Sequence, residues 1–281
     1  MKNNFWKIEK RENAYAAIVI SSNGETIEKT NSLTPTGAYT TFRTFNRNSV
    51  LKLTKHFNRL EETSKLAGFE IRIDRAALKK LIAEKLSEFT DKEARVRITV
   101  DLSQKIGDLY LAMEELITPE EKDYQNGIDT ITEFMHRDNP KAKLNSFIQR
   151  AETVKKQVNQ EYGEVIMVSD AGCLLEGLSS NFFGVKDKKI YTAEDGVLSG
   201  TTRAFVLEIA KSANIPVIFE PVRLSAISTL NEAFITSTSR SILPIRKIND
   251  FVLPESAPGP ITRILMQSFQ KNLESNLETL E

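Results

Sequence analysis

Residues 172–183 read GCLLEGLSSNFF, an apolar run that carries one carboxylate, Glu176, followed at once by a glycine, two serines and an asparagine. The apolar side chains call for burial, and an unpaired charge buried with them is expensive. Any fold open to this chain must therefore bring Glu176 either to water or to a partner. From the fragment alone two readings stay open. One is a carboxylate at a strand end reaching solvent. The other is a carboxylate that meets a protonated nitrogen on a ligand, which offsets its desolvation and keeps it ionised.

The surrounding sequence is that of a mixed α/β protein. Its 281 residues suffice for one large domain or two smaller ones, and 40% hydrophobic against 27% charged residues is an ordinary globular balance. Lysine plus arginine equals aspartate plus glutamate at 38 each, with no basic stripe or acidic tail, so nothing points to nucleic acid or a membrane surface. The early run AYAAIVI (14–20) is too short to span a bilayer and is not flanked like a signal peptide. Cys173 is alone, which excludes an intrachain disulfide and any cysteine zinc spacing, and His56 and His136 are too few for a histidine-rich metal site. No metal is expected, and the location expected is the cytoplasm.

Along the chain, AYAAIVISS (14–22) and YTTFRTFN (39–46) are rich in the β-branched and aromatic residues of strands. From Thr54 the period changes to that of a helix ended by Gly68. A second helix follows the N-cap Asp74, with Leu78, Leu81, Ile82 and Leu86 on one face. ARVRITVDL (94–102) and DLYLAMEEL (108–116) read as neighbouring strands, and the polar TPEEKDYQNG (118–127) as a linker. The division expected is an N-terminal α/β domain over 1–119, a linker over 120–127 and a larger C-terminal domain over 128–281. In the latter, IDTITEFM, EVIMVS, SNFFGVK, KIYTA, PVIFE, EAFITSTS and ILPI read as strands. Helices are expected over about 145–162 and 201–213, and a last one from Gly259 through the end of the chain, with proline near its start.

Three further clusters carry chemistry. LSGTTR (198–203) places Gly-Thr-Thr at a helix start, where backbone N–H groups and the helix dipole favour an anion such as phosphate. ITSTSR (235–240) ends a strand in consecutive hydroxyl residues suited to complete a phosphate shell, although both clusters also read as an ordinary cap and turn. NPKAKLNSF (139–147) offers lysines, and a lysine held near an aldehyde forms the Schiff base that a pyridoxal phosphate enzyme needs. The order lysine, glutamate, Gly-Thr-Thr, hydroxyl cluster supplies partners for an aldehyde, a pyridine nitrogen and a phosphate.

These pieces resemble the fold-type IV pyridoxal phosphate enzymes, the class-IV aminotransferase family that includes branched-chain and D-amino acid aminotransferases and aminodeoxychorismate lyase. The similarity lies in KAKLNSF, DAGCLLEGLSSNFFGV, GVLSGTTRAFVLEIAK and NEAFITSTSRSILPI, with GAYTTFRTF (37–45) and HFNRLEETSKLAG (56–68) before them, and spans 37–248. The resemblance implies two α/β domains with pyridoxal 5'-phosphate in the cleft between them, commonly in a homodimer. It implies Glu176 on the pyridine nitrogen, Arg59 on the phosphate, Thr201 and Thr202 as phosphate-binding residues at a helix start, and Ser237, Thr238 and Ser239 as a second phosphate cluster. Leu198 falls where the family sets an apolar side chain against the ring, a position that a core leucine would fill equally well. Lys143 lies at the family's distance before Glu176 and is taken as the Schiff-base lysine, with Lys141 the alternative.

The reaction implied is transamination between a small amino acid and a 2-keto acid, with Lys143 shuttling the proton once displaced from the cofactor. The alternative is a lyase that releases pyruvate and 4-aminobenzoate from 4-amino-4-deoxychorismate; the Thr40–Thr41 pair is closer to some lyases than to branched-chain enzymes. Tyr39, Arg43 and Arg240 are the candidate substrate-binding residues, the arginines because a guanidinium makes forked pairs with a carboxylate.

Overall fold

A computed structural model describes residues 4–12, 14–21, 26–90, 92–158 and 161–281. The chain divides into two compact units: Met1–Ile117 with Ala142–Arg150 and Ser275–Glu281, and Thr118–Lys141 with Ala151–Glu274. Segments 142–150 and 275–281, which the sequence alone allots to a C-terminal domain, thus pack with the first unit.

The first unit contains β1 (Phe5–Arg11), β2 (Ala14–Ser21), α1 (Ile27–Thr30), β3 (Gly37–Arg43), β4 (Ser49–Leu51), α2 (Leu53–Leu66), α3 (Arg75–Phe89), β5 (Ala94–Asp101) and β6 (Leu109–Glu115). Five strands form an antiparallel sheet in the order β2-β1-β6-β5-β3. The helices follow their sequence signals. The Asp74 side chain accepts from the Ala77 amide at 3.1 Å to start α3, which buries Leu78, Leu81, Ile82 and Leu86. These side chains join Phe42, Phe57, Leu60, Val96 and Ile98 in one core, each large one contributing about 1.5–3 kcal/mol by leaving water.

β3 is the edge of this sheet, and residues 143–145 cover it. The Tyr39 amide donates to the Lys143 carbonyl at 2.9 Å, Ala38 pairs with Leu144, and the Asn145 amide donates to the Gly37 carbonyl at 3.1 Å. The Asn145 side chain completes the join, accepting from the Gly37 amide at 2.9 Å and donating to the Pro35 carbonyl at 2.8 Å. Gly37 is required here, because a Cβ would stand 1.8 Å from the Val100 carbonyl oxygen.

The C-terminus departs from the sequence expectation of a helix to the end. The last helix, Pro260–Leu273, stops there, and Leu277–Thr279 form a short strand antiparallel to β4, with Leu280 only 1% exposed in the first unit's core. Glu278 accepts from the Thr54 amide at 2.9 Å and so caps the start of α2. A last helical turn is worth little by itself, and burying Leu280 while pairing β4 outweighs it.

The second unit begins inside the expected linker, where a capping box at Glu120 and Asp123 sets up the short helix α4 (Glu121–Asn126). There follow β7 (Ile128–Phe134), α5 (Ser146–Gln157, which belongs to this unit from Ala151 on), β8 (Glu164–Val168), β9 (Leu174–Gly177), β10 (Asn181–Lys186), β11 (Lys189–Tyr191), α6 (Thr201–Ser212), β12 (Val217–Ile218), β13 (Glu232–Ser237), β14 (Ser241–Ile248), β15 (Phe251–Val252) and α7 (Pro260–Leu273). Six strands close on themselves in the order β10-β13-β14-β7-β8-β9 and back to β10. The β14–β7 and β7–β8 pairs are parallel and the others antiparallel. Closure removes the edges of a sheet. The pair that closes this ring is Glu176 with Asn181. α6 and α7 meet edge to face through Phe205 and Phe269, whose ring centroids are 5.0 Å apart. Among the described residues no helix is long and apolar enough to cross a membrane.

Candidate active site

Glu176 lies near the end of β9 and is 2% exposed, yet both its carboxylate oxygens accept hydrogen bonds. Arg137 donates its Nε at 2.6 Å, Asn181 its Nδ2 at 3.0 Å and Leu198 its amide at 3.1 Å. The partner demanded by the sequence is therefore supplied by the protein, from the loop HRDNPKAK. Arg137 is a residue that sequence reasoning passed over. Its signal was only a position in a charged loop, whereas the contact to Glu176 spans 39 residues.

Asn181 is the hub of this corner. Besides Glu176, its Nδ2 binds the Leu198 carbonyl at 2.7 Å, and its backbone pairs with Thr236 on β13. A Cβ on Gly200 would stand 2.1 Å from Asn181 Oδ1, so glycine is needed for the chain to pass this close. One side chain thereby fixes Glu176, the segment 198–200 and the start of α6 against each other. Leu198 itself is buried at 8% exposure.

α6 starts at Gly200 with no side-chain cap, leaving its first amides open to an anion. Thr201 and Thr202 are buried, and Thr201 Oγ1 has no hydrogen-bond partner within the protein. Thr236 Oγ1, at the end of β13, is buried and unpartnered as well. Ser237, Thr238 and Ser239 follow it, half-buried. Buried orphan hydroxyls beside an uncapped helix start are what a phosphate would satisfy.

Arg240, expected to meet a substrate carboxylate, has its guanidinium engaged by the protein. Its Nη2 binds Glu164 at 2.6 Å and Ser179 Oγ at 2.9 Å, its Nε binds Ser237 Oγ at 3.1 Å, and its Nη1 lies 3.4 Å from the Gly163 carbonyl. Burial alone would raise the Glu164 pKa, but the Arg240 charge and hydrogen bonds from Arg240 and Ser180 hold it below the usual carboxylate value. Arg203, in the Gly-Thr-Thr-Arg stretch, binds the Ala193 carbonyl and Glu194.

In the first unit the chemistry gathers around Tyr39. Its ring lies 5.0 Å from Lys143 Nζ and 5.2 Å from the Arg97 guanidinium carbon. Lys143 is half-buried and its amide donates to Thr63 Oγ1 at 3.3 Å, while Lys141 is exposed. Arg97, also missed from sequence, is buried, with Nε on Thr41 Oγ1 at 3.2 Å. Arg59 is half-buried, and burial lowers its pKa against the opposing influence of Tyr39 and Glu62. His56, one turn before Arg59, is buried with Nδ1 2.8 Å from Thr40 Oγ1. Burial, then the charges of Arg59 and Lys143, push its pKa well below 6.5, so the imidazole stays neutral. Arg43 stacks over Phe45 at 4.3 Å and donates to the Thr44 carbonyl at 3.3 Å.

Comparison with known proteins agrees with this chemistry. The family model for amino-transferase class IV matches residues 37–248. A probable branched-chain-amino-acid aminotransferase of Thermotoga maritima is 29% identical over 250 residues, covering 85% of this chain and 88% of the relative. The aminodeoxychorismate lyase of Bacillus subtilis is 26% identical over 256 residues, covering 85% of this chain and 86% of the relative. Among solved structures, that of a putative branched-chain amino acid aminotransferase from Thermotoga maritima superposes with a TM-score of 0.77 at 26% identity, covering 96% of this chain and 98% of the other. The chain belongs to the class IV aminotransferase family, whose enzymes use pyridoxal phosphate. Its residues fit that cofactor: a fixed carboxylate in Glu176 for the ring nitrogen, and an uncapped helix start with the orphan Thr201 hydroxyl for the phosphate.

Proposed function

We propose that this protein is a pyridoxal phosphate-dependent aminotransferase acting on a small amino acid and a 2-keto acid, of the branched-chain or D-amino acid type. The observation that carries this reading is Glu176, buried as a carboxylate and oriented by Arg137, Asn181 and the Leu198 amide, on the same hub residue as the open start of α6. When bound, the cofactor supplies an aldehyde carbon for the substrate nitrogen and a protonated ring that draws electrons from the substrate Cα.

Each residue then has a task. Glu176 would keep the ring nitrogen protonated. In the second unit the Thr201 and Thr202 amides with Ser237, Thr238 and Ser239 would hold the phosphate, and in the first unit Arg59 would be its cationic partner. Leu198 would pack beside the ring, and Lys143 would hold the aldehyde group and serve as the base for the substrate Cα proton. Tyr39 places its ring against Lys143 Nζ and restricts the directions that amine can take. The protein works as a homodimer in the cytoplasm, and gel filtration giving a strict monomer would count against that part.

The lyase remains the second reading, supported by the Bacillus subtilis relative. The Thr-Thr pair that favoured it has structural employment here, Thr40 bonding His56 and Thr41 bonding Arg97, which weakens it as a mark of lyase chemistry. The test is absorbance of the purified protein with pyridoxal phosphate, before and after borohydride, beside Lys143→Ala and Lys141→Ala. Conversion of the bound cofactor to its amine form by a panel of L- and D-amino acids identifies the aminotransferase. Pyruvate release from aminodeoxychorismate without that conversion identifies the lyase. Absence of a borohydride-fixed band in the wild type would sink both.

A further inference from the structure

Buried Glu164 and half-buried Arg240 form a second ion pair in this unit, apart from the Glu176 carboxylate. Glu164 opens β8 and is 7% exposed. Besides Arg240 it accepts from Ser180 Oγ at 2.8 Å and Ser179 Oγ at 3.2 Å, in the turn that joins β9 to β10. Gly177, next to Glu176, leaves the space for this: a Cβ there would stand 2.2 Å from Ser180 Oγ and 2.8 Å from the Glu164 carboxyl carbon. Arg240 lies in the turn between β13 and β14, which also holds the hydroxyl cluster. Its Nε donates to Ser237 Oγ and its Nη2 to Ser179 Oγ, while Tyr124 Oη donates to its carbonyl at 3.1 Å.

Three chain segments that are distant in sequence (163–164, 179–180 and 237–240) are thus tied by one ion pair. The turn 178–180 connects Glu176 to Asn181. The turn 237–240 carries Ser237, Thr238 and Ser239. We propose that Glu164 and Arg240 are positioning residues, a strut that holds the 237–239 hydroxyl turn in register with the Glu176–Asn181 hairpin, so that affinity for the cofactor's phosphate depends on a pair of residues that does not touch it. The phosphate part rests on the function proposed above; the mechanical part, coupling of the two turns, does not. A buried pair of this kind is poor at adding net stability, since desolvation offsets much of the attraction, but it fixes geometry. The fixed donors of an arginine make the register specific, which a lysine would not reproduce.

The experiment has two arms, on wild type, Arg240→Met, Arg240→Lys and Glu164→Gln. In the first, hydrogen–deuterium exchange is followed in the cofactor-free protein. A strut requires that Arg240→Met raise exchange in 177–181 and in 237–241 together, with Arg240→Lys intermediate. A rise confined to 237–241, or one spread evenly over the second unit, overturns the coupling. In the second, dissociation constants are measured for pyridoxal phosphate and for pyridoxal, which lacks the phosphate. Loss of about one or two charge-assisted hydrogen bonds predicts a tenfold to hundredfold weakening for pyridoxal phosphate, with pyridoxal changed by less than about threefold. Equal weakening of both would mean a merely structural pair. A raised KM for the amino acid with unchanged cofactor affinity would return Arg240 to a substrate-binding role. If wild type binds neither ligand while the exchange arm succeeds, the functional reading fails and the strut stands.

Discussion

The corner around Glu176 in the second unit and the cluster around Tyr39 in the first place their charges differently. In the second, each buried carboxylate of the corner is matched by an arginine at 2.6 Å, Glu176 by Arg137 and Glu164 by Arg240. In the first, the cations Lys143 and Arg97 lie against the aromatic face of Tyr39, and Arg59 stands with Lys143 in suppressing protonation of His56. Ion pairs fix orientation, whereas gathered positive charge makes a region receptive to an anion and disfavours further protonation. The corner around Glu176 thus holds its groups still, and the cluster around Tyr39 gathers Lys143, Arg97 and Arg59.

The sharpest way to break this comparison is to remove the amine of the first unit. Lys143→Ala is expected to lower the transamination rate by at least about 10³-fold in steady-state assays, while Lys141→Ala changes it little, because general acid–base transfer is worth up to about 10⁴-fold. Comparable losses in both variants would mean that the lysine has been misassigned. In the second unit, Arg137→Met leaves the Glu176 charge buried beside an apolar side chain. Thermal and denaturant unfolding should show a loss of about 3–5 kcal/mol, and Arg137→Met/Glu176→Gln should recover part of it.

A smaller effect distinguishes His56 from the paired carboxylates by pH. His56 has a folded pKa below 6.5, so under that pH the unfolded chain binds more protons and stability falls as pH falls. The slope is about 1.4 kcal/mol per pH unit between 6.5 and the folded value, and His56→Asn should remove it. Glu164 also has a lowered folded pKa, from 4.5, so its contribution is complete above that value and is lost only as pH falls below it. Acid titration of stability should therefore show a His56-dependent phase first and a Glu164-dependent phase later. A single phase insensitive to His56→Asn would contradict the placement of the imidazole. The smallest effect is expected at Thr201→Val. Removing an unsatisfied buried hydroxyl should leave cofactor-free stability unchanged or raise it by about 1 kcal/mol, while weakening pyridoxal phosphate binding measured by titration.

Much of this was legible in the chain itself. Asp74 announced α3, the alternation in ARVRITVDL announced β5, and Gly-Thr-Thr announced the start of α6. Such signals are local, since caps and periodicity act over a few residues. Glu176 was also legible as a demand, because a carboxylate in an apolar run requires a partner wherever it is folded. The end of the chain was not: the apolar period of α7 runs on past Leu273, and only the vacancy beside β4 turns Leu277–Thr279 into a strand.

What the sequence determined by itself was the set of elements and the chemical inventory: a carboxylate needing a cation, an anion-ready helix start, a hydroxyl run and a lysine in a loop. The tertiary structure decided the partners. It gave Glu176 the side chain of Arg137, made Asn181 the hub, assigned Arg240 to Glu164 and joined Lys143 to the edge of β3. The reason is physical. Propensity and capping are set by neighbours in the chain, whereas a buried charge is satisfied by whichever group closure of the sheet brings within about 3 Å, and sequence separation does not enter that choice.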